Sequence, residues 1–179
     1  MELIEEIRNK AKKKNKKIVL PEADDERVIK AAGILVDEKI ATPILIGNQD
    51  AIQNQAADLQ VDLDEIEIIN PESYPEFDKF VDIYYKKREH KGINKDDACQ
   101  CMKNRNFFGT MLVEEGYADG CLSGAATPTG DVLRPALHII GTADGVKTVS
   151  SDILMILPDG RIISFADCAV IPDPTAEQM

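Results

Sequence analysis

Short apolar runs alternate with stretches of helical periodicity over the first 145 residues, and this alternation restricts the fold more than any other feature of the sequence. Most of the runs are bounded by Pro, Gly or polar turn residues, as strand ends commonly are. Strands joined by helices in this way predict a mostly parallel sheet with helices on both faces. We therefore predict a three-layer α-β-α domain over residues 1–145. The predicted strands are 18–20, 42–46, 66–69 and 118–122.

The helices of this domain are predicted from apolar residues that recur at intervals of three or four. The first is an amphipathic helix whose apolar face carries Leu3, Ile4, Ile7 and Ala11. Asp24 is expected to cap the second helix, because its carboxylate can accept hydrogen bonds from free backbone N–H groups. The predicted inner face of that helix is Val28, Ala31, Ala32, Leu35 and Val36. Further helices are predicted over 50–59, 76–90, 96–102, 106–115 and 131–140.

The pattern changes after residue 145. Two apolar runs, 151–157 and 161–170, are separated by the turn sequence Pro-Asp-Gly, which predicts a β-hairpin. We predict that residues 146–179 begin a second domain or form an arm that contacts another subunit, because an isolated hairpin is marginally stable in water. Thr175 and Gln178 have the spacing of a capping box, so we expect the chain to end within about one turn of a new helix.

The overall composition excludes several classes of protein. The formal net charge is −11 and aromatic residues make up 5% of the chain, so neither nucleic acid nor an anionic membrane is an expected partner. The four cysteines lack zinc-site spacing, and we predict free thiols and no metal, with Cys121 and Cys168 buried in strands. The N-terminal residues contain no uninterrupted apolar stretch, so we expect no signal peptide and a cytoplasmic location.

A loop of small residues follows the last predicted strand of the first domain. Residues 123–130, SGAATPTG, lead into a helix. Small residues let an anion approach the backbone, and a helix N-terminus favours negative charge. Ser123, Thr127 and Thr129 add hydroxyl groups, and the guanidinium of Arg134 suits phosphate oxygens. These residues alone are equally consistent with an anion site and with an ordinary connection between a strand and a helix.

The same segment resembles the phosphate-site motif of phosphate acetyltransferases. The matching residues are Ser123-Gly124-Ala125, Thr127, Thr129, Asp131 and Leu133-Arg134-Pro135-Ala136. Similar stretches occur at residues 20–22, 25–27, 45–48, 85–92, 165–169 and 174–176, so the resemblance covers nearly the whole chain. One departure is Thr127, because many members of the family have His there, although either residue can donate a hydrogen bond.

The resemblance implies reversible transfer of an acetyl group between coenzyme A and phosphate. The residues it implies for the site are Arg134 and Arg88 as catalytic phosphate ligands, with Ser123, Gly124, Thr127 and Thr129 as further phosphate-binding groups. Acetyl-CoA, CoA, phosphate and acetyl phosphate are the expected partners, with CoA as a substrate and no tightly bound cofactor. Members of the family are generally dimers, which implies a homodimer.

The fold implied by the resemblance is similar to that of isocitrate and isopropylmalate dehydrogenases. In the family, helices from later segments complete the first domain, so we expect that domain to be open on one side here. We also expect the 179-residue chain alone to be inactive and to bind phosphate weakly. Two alternatives stay open at this point, a butyryl-specific acyltransferase and a non-catalytic ligand-sensing module.

Three polar residues near the motif have other interpretations. Asp131 is expected to cap the helix that begins there. His138 continues one face of that helix, and we interpret it as a packing or surface residue. His90 lies at a helix end, where an imidazole is more often structural than a general base.

Overall fold

In a computed structural model that describes residues 2–178, the chain forms two compact parts, residues 2–140 and residues 141–178. The first part contains a parallel sheet between helical layers, so the predicted fold class is confirmed. Its elements are α1 (Glu2–Lys14), β1 (Lys17–Leu20), α2 (Glu26–Asp37), β2 (Thr42–Ile46), α3 (Gln49–Leu59), β3 (Glu67–Ile69), α4 (Phe77–Arg88), α5 (Lys95–Lys103), α6 (Arg105–Glu114), β4 (Gly120–Cys121) and α7 (Thr129–Ile139), with 3-10 turns at Pro71–Ser73 and Glu89–Lys91.

The four strands of the first part lie in the order β3-β2-β1-β4, and every neighbouring pair is parallel. Val19 of β1 is paired with Ile44 of β2 on one side and with Cys121 of β4 on the other. The carboxyl ends of β1 and β4 therefore lie side by side. Open α/β sheets bind their ligands in the crevice outside the carboxyl ends of the strands.

Alternate strand residues point to opposite faces of the sheet and form two separate core clusters. Val19, Ile44 and Ile46 pack with residues of α4 to α7 on one face. Leu20 and Leu45 pack with residues of α2 and α3 on the other face. This alternation explains why the strands are almost wholly apolar, since both faces of a parallel sheet are covered by helices.

The side of β4 away from α6 is less well covered. An apolar groove of about 450 Å³ lies there, and Leu122 and Ile34 at its lining are 66% and 50% exposed. Ile4 and Ile7 of α1 are also about half exposed, although their spacing predicts a buried face. Amphipathic spacing therefore predicted correctly that α1 is a helix. It did not show which residues cover the apolar side of that helix.

Several boundaries and orientations differ from the sequence prediction. Asp25, not Asp24, caps α2 and accepts a hydrogen bond from the N–H of Arg27. The buried face of α2 is rotated from the predicted one, because Ile29, Ala32 and Gly33 point into the core while Ala31 is exposed. The shift follows from contact with α3 and the sheet, which the helical period alone does not locate.

The predicted burial is wrong for Cys168 and holds only for the thiol group of Cys121, whose pKa is raised to about 12 by burial. Cys121 lies in β4, which has only two residues and is an edge strand of the sheet, and as a whole residue it is exposed. Cys168 follows the hairpin and is exposed as well. An edge strand lacks a neighbour on one side, and for that reason an apolar run did not ensure burial here.

The second part contains an antiparallel hairpin of β5 (Asp152–Ile156) and β6 (Ile162–Ala166), and the hairpin prediction is confirmed. The turn closes through a hydrogen bond from the N–H of Leu157 to the carbonyl of Arg161 at 2.9 Å. Near the C-terminus, Gln178 accepts from the N–H of Thr175 at 2.9 Å, as in one half of a capping box. Residues 176–178 form a turn and not a helix, and Met179 lies outside the described residues.

Candidate functional site

The candidate loop connects the end of β4 to the first turn of α7. The helix begins at Thr129, two residues before the predicted start. Among the described residues, no side chain caps its N-terminus. Asp131 therefore does not have the predicted capping role, because it already lies in the first turn, and its carboxylate is 3.2 Å from the guanidinium of Arg134.

The buried carboxylate of Glu22 binds four consecutive backbone N–H groups of this loop. Glu22 lies just beyond β1, and only 7% of its surface is exposed. Its Oε2 accepts hydrogen bonds from the N–H groups of Gly124 and Ala125 at 2.7 and 2.8 Å. Its Oε1 accepts from those of Ala126 and Thr127 at 2.8 and 2.6 Å. The loop thus surrounds an anion that the chain itself supplies.

These hydrogen bonds keep Glu22 ionised. Burial by itself raises the pKa of a carboxyl group, but hydrogen bonds from Thr127, Ala126, Ala125 and Gly124 together outweigh it and lower the pKa of Glu22 to about 2. At neutral pH the loop amides therefore face a full negative charge. The phosphate role of Gly124 and Thr127 stays a prediction, and their N–H groups could reach phosphate only if Glu22 were displaced.

Asn106 in the first turn of α6 holds the loop hydroxyl groups from the opposite side. Its Oδ1 accepts a hydrogen bond from Ser123 at 2.7 Å, and its Nδ2 donates to Oγ1 of Thr127 at 3.4 Å. Asn104 caps α6 by accepting from the N–H groups of Asn106 and Phe107 at 3.0 and 3.3 Å. The cap fixes where the amide of Asn106 stands.

Arg27 contacts the outer side of the same loop. Its Nη2 donates to the carbonyl of Ala125 at 2.6 Å and also contacts Asp25 at 2.5 Å. The loop is therefore held by the carboxylate of Glu22, the side-chain amide of Asn106 and the guanidinium of Arg27. Gly124 adopts a φ of +113°, a backbone conformation that favours glycine.

A second cluster forms where α4 packs against α7. Nη2 of Arg88 lies 3.3 Å from Nε2 of His138, and the hydroxyl of Tyr84 lies 3.0 Å from Nδ1 of the same ring. A guanidinium can only donate, so we assign Nε2 as the acceptor and place the ring hydrogen on Nδ1, directed at Tyr84. Burial raises the pKa of Tyr84 to about 12, with Cys101 beside it contributing, so the phenol keeps its proton.

His138 is influenced by both arginines that the resemblance implies as phosphate ligands. Burial, followed by the charges of Arg88 and Arg134, lowers the pKa of His138 below its ordinary value. The imidazole is therefore neutral at pH 7. The tertiary structure thus brings Arg88 to the side chain of His138, 50 positions further along the chain and on the helix that carries Arg134.

The two arginines differ in their surroundings. The side chain of Arg134 is 58% exposed. Arg88 is only partly exposed, and its Nε is buried with no hydrogen-bond partner among residues 2–178. A buried donor without a partner is uncommon in a folded protein. Thr129, the remaining predicted ligand, is exposed at the first position of α7.

A polar cleft of about 310 Å³ opens between the loop and the junction of α5 and α6. At its rim Arg105 contacts the carboxylate of Asp24 at 2.9 Å. The cleft lies near the carboxyl ends of the strands, where open α/β sheets bind ligands. Its lining residues are Pro21, Glu22, Asp24, Lys103, Asn104, Arg105, Asn106 and Thr127.

Sequence reasoning selected the loop and both arginines, whose phosphate role stays a prediction, and did not select Glu22, Asn106 or His138 as site residues. The sequence did contain an indication for Glu22. The backbone N–H groups of a loop of small residues need an acceptor, and Glu22 follows β1, the strand that pairs with β4. The described residues contain no cluster of His, Cys, Asp and Glu side chains that could hold a metal ion. None of the helices in residues 2–178 has the length and apolarity needed to cross a membrane.

A comparison with protein families gives a match to the phosphate acetyl/butaryl transferase model over residues 2–179. The chain belongs to this family. The phosphate acetyltransferase of Thermoanaerobacterium thermosaccharolyticum is 45% identical over 184 residues, which cover 100% of this chain and 56% of that protein. The phosphate acetyltransferase of Clostridium acetobutylicum is 38% identical and is matched over 55% of its length.

Solved structures give the same result. A phosphotransacetylase from Streptococcus pyogenes superposes with a TM-score of 0.91 at 40% identity, covering 98% of this chain and 53% of that one. The EutD phosphotransacetylase from Staphylococcus aureus superposes with a TM-score of 0.88, also at 40% identity, over 99% of this chain and 53% of that one. The predicted family is confirmed. The chain spans a little over half the length of these relatives.

Proposed function

We propose that this chain carries the phosphate-binding half of a phosphate acetyltransferase, which converts acetyl-CoA and phosphate reversibly into CoA and acetyl phosphate. The observation that supports this most directly is that Arg88 lies 3.3 Å from His138, on the helix that also carries Arg134, and that the charges of both arginines lower the pKa of this ring. Two guanidinium groups offer fixed donors for the oxygens of one phosphate group. The curated relatives carry the name phosphate acetyltransferase, which favours acetyl over butyryl as the transferred group.

The proposed chemistry is an acyl transfer. In the direction that consumes acetyl phosphate, the CoA thiolate attacks the acetyl carbon and forms the new C–S bond. The C–O bond to phosphate then breaks, and phosphate leaves with the electron pair. Arg88 and Arg134 stabilise the charge on the leaving phosphate, because donors placed in advance need no rearrangement during the reaction. CoA is a substrate in this scheme, and it requires no resident cofactor.

The thiolate must meet acetyl phosphate in one cleft, since holding both substrates together removes the entropy cost of their encounter. The relatives are nearly twice as long as this chain. We propose that the CoA side of the cleft belongs to the part of these proteins that this chain does not match. The 179 residues by themselves would then bind phosphate weakly, with a dissociation constant on the order of 1 mM, and show no turnover.

We also propose that the enzyme is a cytoplasmic homodimer. The hairpin supports a dimer, because one of its faces is formed by Ile153, Met155, Ile163 and Phe165, which are 37–52% exposed. Apolar patches of this kind commonly mark protein contacts.

The phosphate assignment is tested by Arg134→Ala and Arg88→Ala in the full-length enzyme that contains this chain. Each substitution should reduce kcat/KM by roughly 30- to 900-fold, because one preorganised donor is worth on the order of 2–4 kcal/mol. The assay follows thioester absorbance with acetyl phosphate and CoA. Arg161→Ala is the matched control, since that arginine is exposed and paired with Asp159, much as Arg134 is paired with Asp131.

The same assay decides the proposal. Near-normal kcat and phosphate KM in both arginine variants would show that the phosphate site lies elsewhere. Turnover by the 179-residue chain at the rate of an intact enzyme would show that the proposed division between the two halves is wrong.

A further inference from the structure

Four successive backbone N–H groups that converge on one point form a concave anion-binding site. In this chain they belong to residues 124–127, within the motif from which phosphate binding was inferred. The position of the anion is filled by Glu22, at distances of 2.6–2.8 Å. Charge-assisted hydrogen bonds of this length are among the strongest in proteins.

We propose that Glu22 is a positioning residue of the phosphate site. Its carboxylate occupies the anion-binding loop permanently, gives the loop its shape before substrate arrives, and directs phosphate to Arg88 and Arg134. The loop amides then serve an internal ligand and do not bind phosphate. This inference rests on the proposed function, because it concerns how the same site is built.

The fold delivers Glu22 to the loop with little freedom. Glu22 is preceded by Pro21, whose ring fixes one backbone angle, and by the strand β1, which is paired on both sides. A tethered carboxylate competes with free phosphate at a high effective concentration. Free phosphate at millimolar concentration would therefore not displace it.

The loop is also connected directly to the phosphate ligands. Thr127, the last residue held by Glu22, lies two positions before α7, which carries Arg134 and His138. Asn106 holds Thr127 and Ser123 on the other side, and its neighbour Phe107 contacts the ring of His138 edge-on at a centroid distance of 6.1 Å. Loss of the carboxylate should therefore shift the start of α7 and misplace Arg134.

The substitution Glu22→Gln tests this proposal, because glutamine keeps the size of the side chain but loses one acceptor oxygen and the charge. The control is Glu26→Gln, four residues further on, where the side chain is 60% exposed. Backbone amide exchange of residues 124–127 should accelerate at least about tenfold in Glu22→Gln, and not in the control, because charge-assisted hydrogen bonds are lost. The affinity for inorganic phosphate, measured by calorimetry, should fall by a similar factor.

Activity measurements on the full-length enzyme separate positioning from a general loss of structure. Glu22→Gln should raise the KM for phosphate about tenfold or more while the KM for CoA stays within about twofold. Asn106→Ala should act in the same direction, since it loosens the loop from the opposite side. If Glu22→Gln does not fold, the Asn106 variant carries the test.

Three outcomes would overturn the proposal. Unchanged amide exchange in Glu22→Gln would show that the carboxylate does not hold the loop. Faster exchange with unchanged phosphate affinity would show that loop shape does not control the site. Tighter phosphate binding would show that the loop amides are phosphate ligands that Glu22 blocks. Each outcome leaves the roles of Arg88 and Arg134 intact, and those roles fail only through their own variants.

Discussion

Each part of the chain organises a loop around one carboxylate, but it does so in a different environment. Glu22 in the first part is buried and receives four loop N–H groups. Asp167 in the second part accepts from the N–H groups of Ala169, Val170 and Ile171 at 2.8, 2.9 and 3.1 Å and lies closer to solvent. The hydrogen-bond pattern is similar, and what differs is the apolar structure around it.

The apolar residues show the same difference. Phe108 in the first part is fully buried between the sheet and its helices. Phe165 in the second part is 52% exposed, and no residue of 141–178 is buried in the described structure. The first part therefore has its own hydrophobic core, whereas the order of the second part depends on local hydrogen bonds. The comparison shows that a carboxylate can bind successive loop N–H groups with or without a hydrophobic core around it.

The largest expected effect is on the core of the first part. Phe108→Ala should destabilise the protein by about 3–5 kcal/mol, because the truncation removes buried area and leaves a cavity. Phe165→Ala is the same change at an exposed site and should cost less than about 1 kcal/mol. Urea unfolding followed by circular dichroism measures both. Equal losses for the two variants would contradict the difference in burial.

Acid should weaken the hydrogen bonds of both carboxylates, because each has a lowered pKa in the folded protein. The pKa of Glu22 is lowered to about 2 from the ordinary 4.5, so its ionised form stabilises the folded state. This contribution is complete above about pH 4.5 and is lost as the pH falls towards 2. We expect it to be roughly 1–2 kcal/mol after allowance for solvent screening. Urea unfolding between pH 6 and pH 3 should therefore show a smaller loss of stability in Glu22→Gln than in the unchanged protein.

Asp167 provides the comparison for this acid effect. Its pKa is also lowered, first by Ser151 and then by the N–H groups of residues 169–171. Protonation should accelerate amide exchange at residues 169–171 without changing the unfolding of the first part. An equal loss of core stability in Asp167→Asn and Glu22→Gln would mean that the two parts unfold together.

The smallest effect on stability is expected from the exposed hairpin face. Ile163→Thr should change the unfolding free energy of the first part by less than about 0.5 kcal/mol. It should nevertheless weaken self-association in light scattering, because its side chain lies on the apolar face with Phe165. Leu154→Thr, on the opposite face, is the control. A strictly monomeric unchanged protein at high concentration would exclude the intermolecular contact.

The elements themselves were largely predictable. The strand at Thr42–Ile46 was predicted with its observed bounds, since its apolar run ends at Gly47. The hairpin followed from two apolar runs and a turn sequence. Errors arose where packing decides, as in the rotation of α2 and the exposure of Cys121, because helical period and apolar content do not specify which neighbour covers a residue.

The sequence by itself determined the order of helices and strands and the family, and it selected Arg88 and Arg134 as candidate phosphate ligands. These features follow from local periodicity and short motifs, which involve residues close together in the sequence. Only the tertiary structure decided that Glu22 fills the loop at residues 124–127, more than 100 positions away, and that His138 accepts from Arg88. The physical reason is that β1 must pair with β4, and α4 must pack on α7, before these side chains can meet, and no local pattern encodes such pairings.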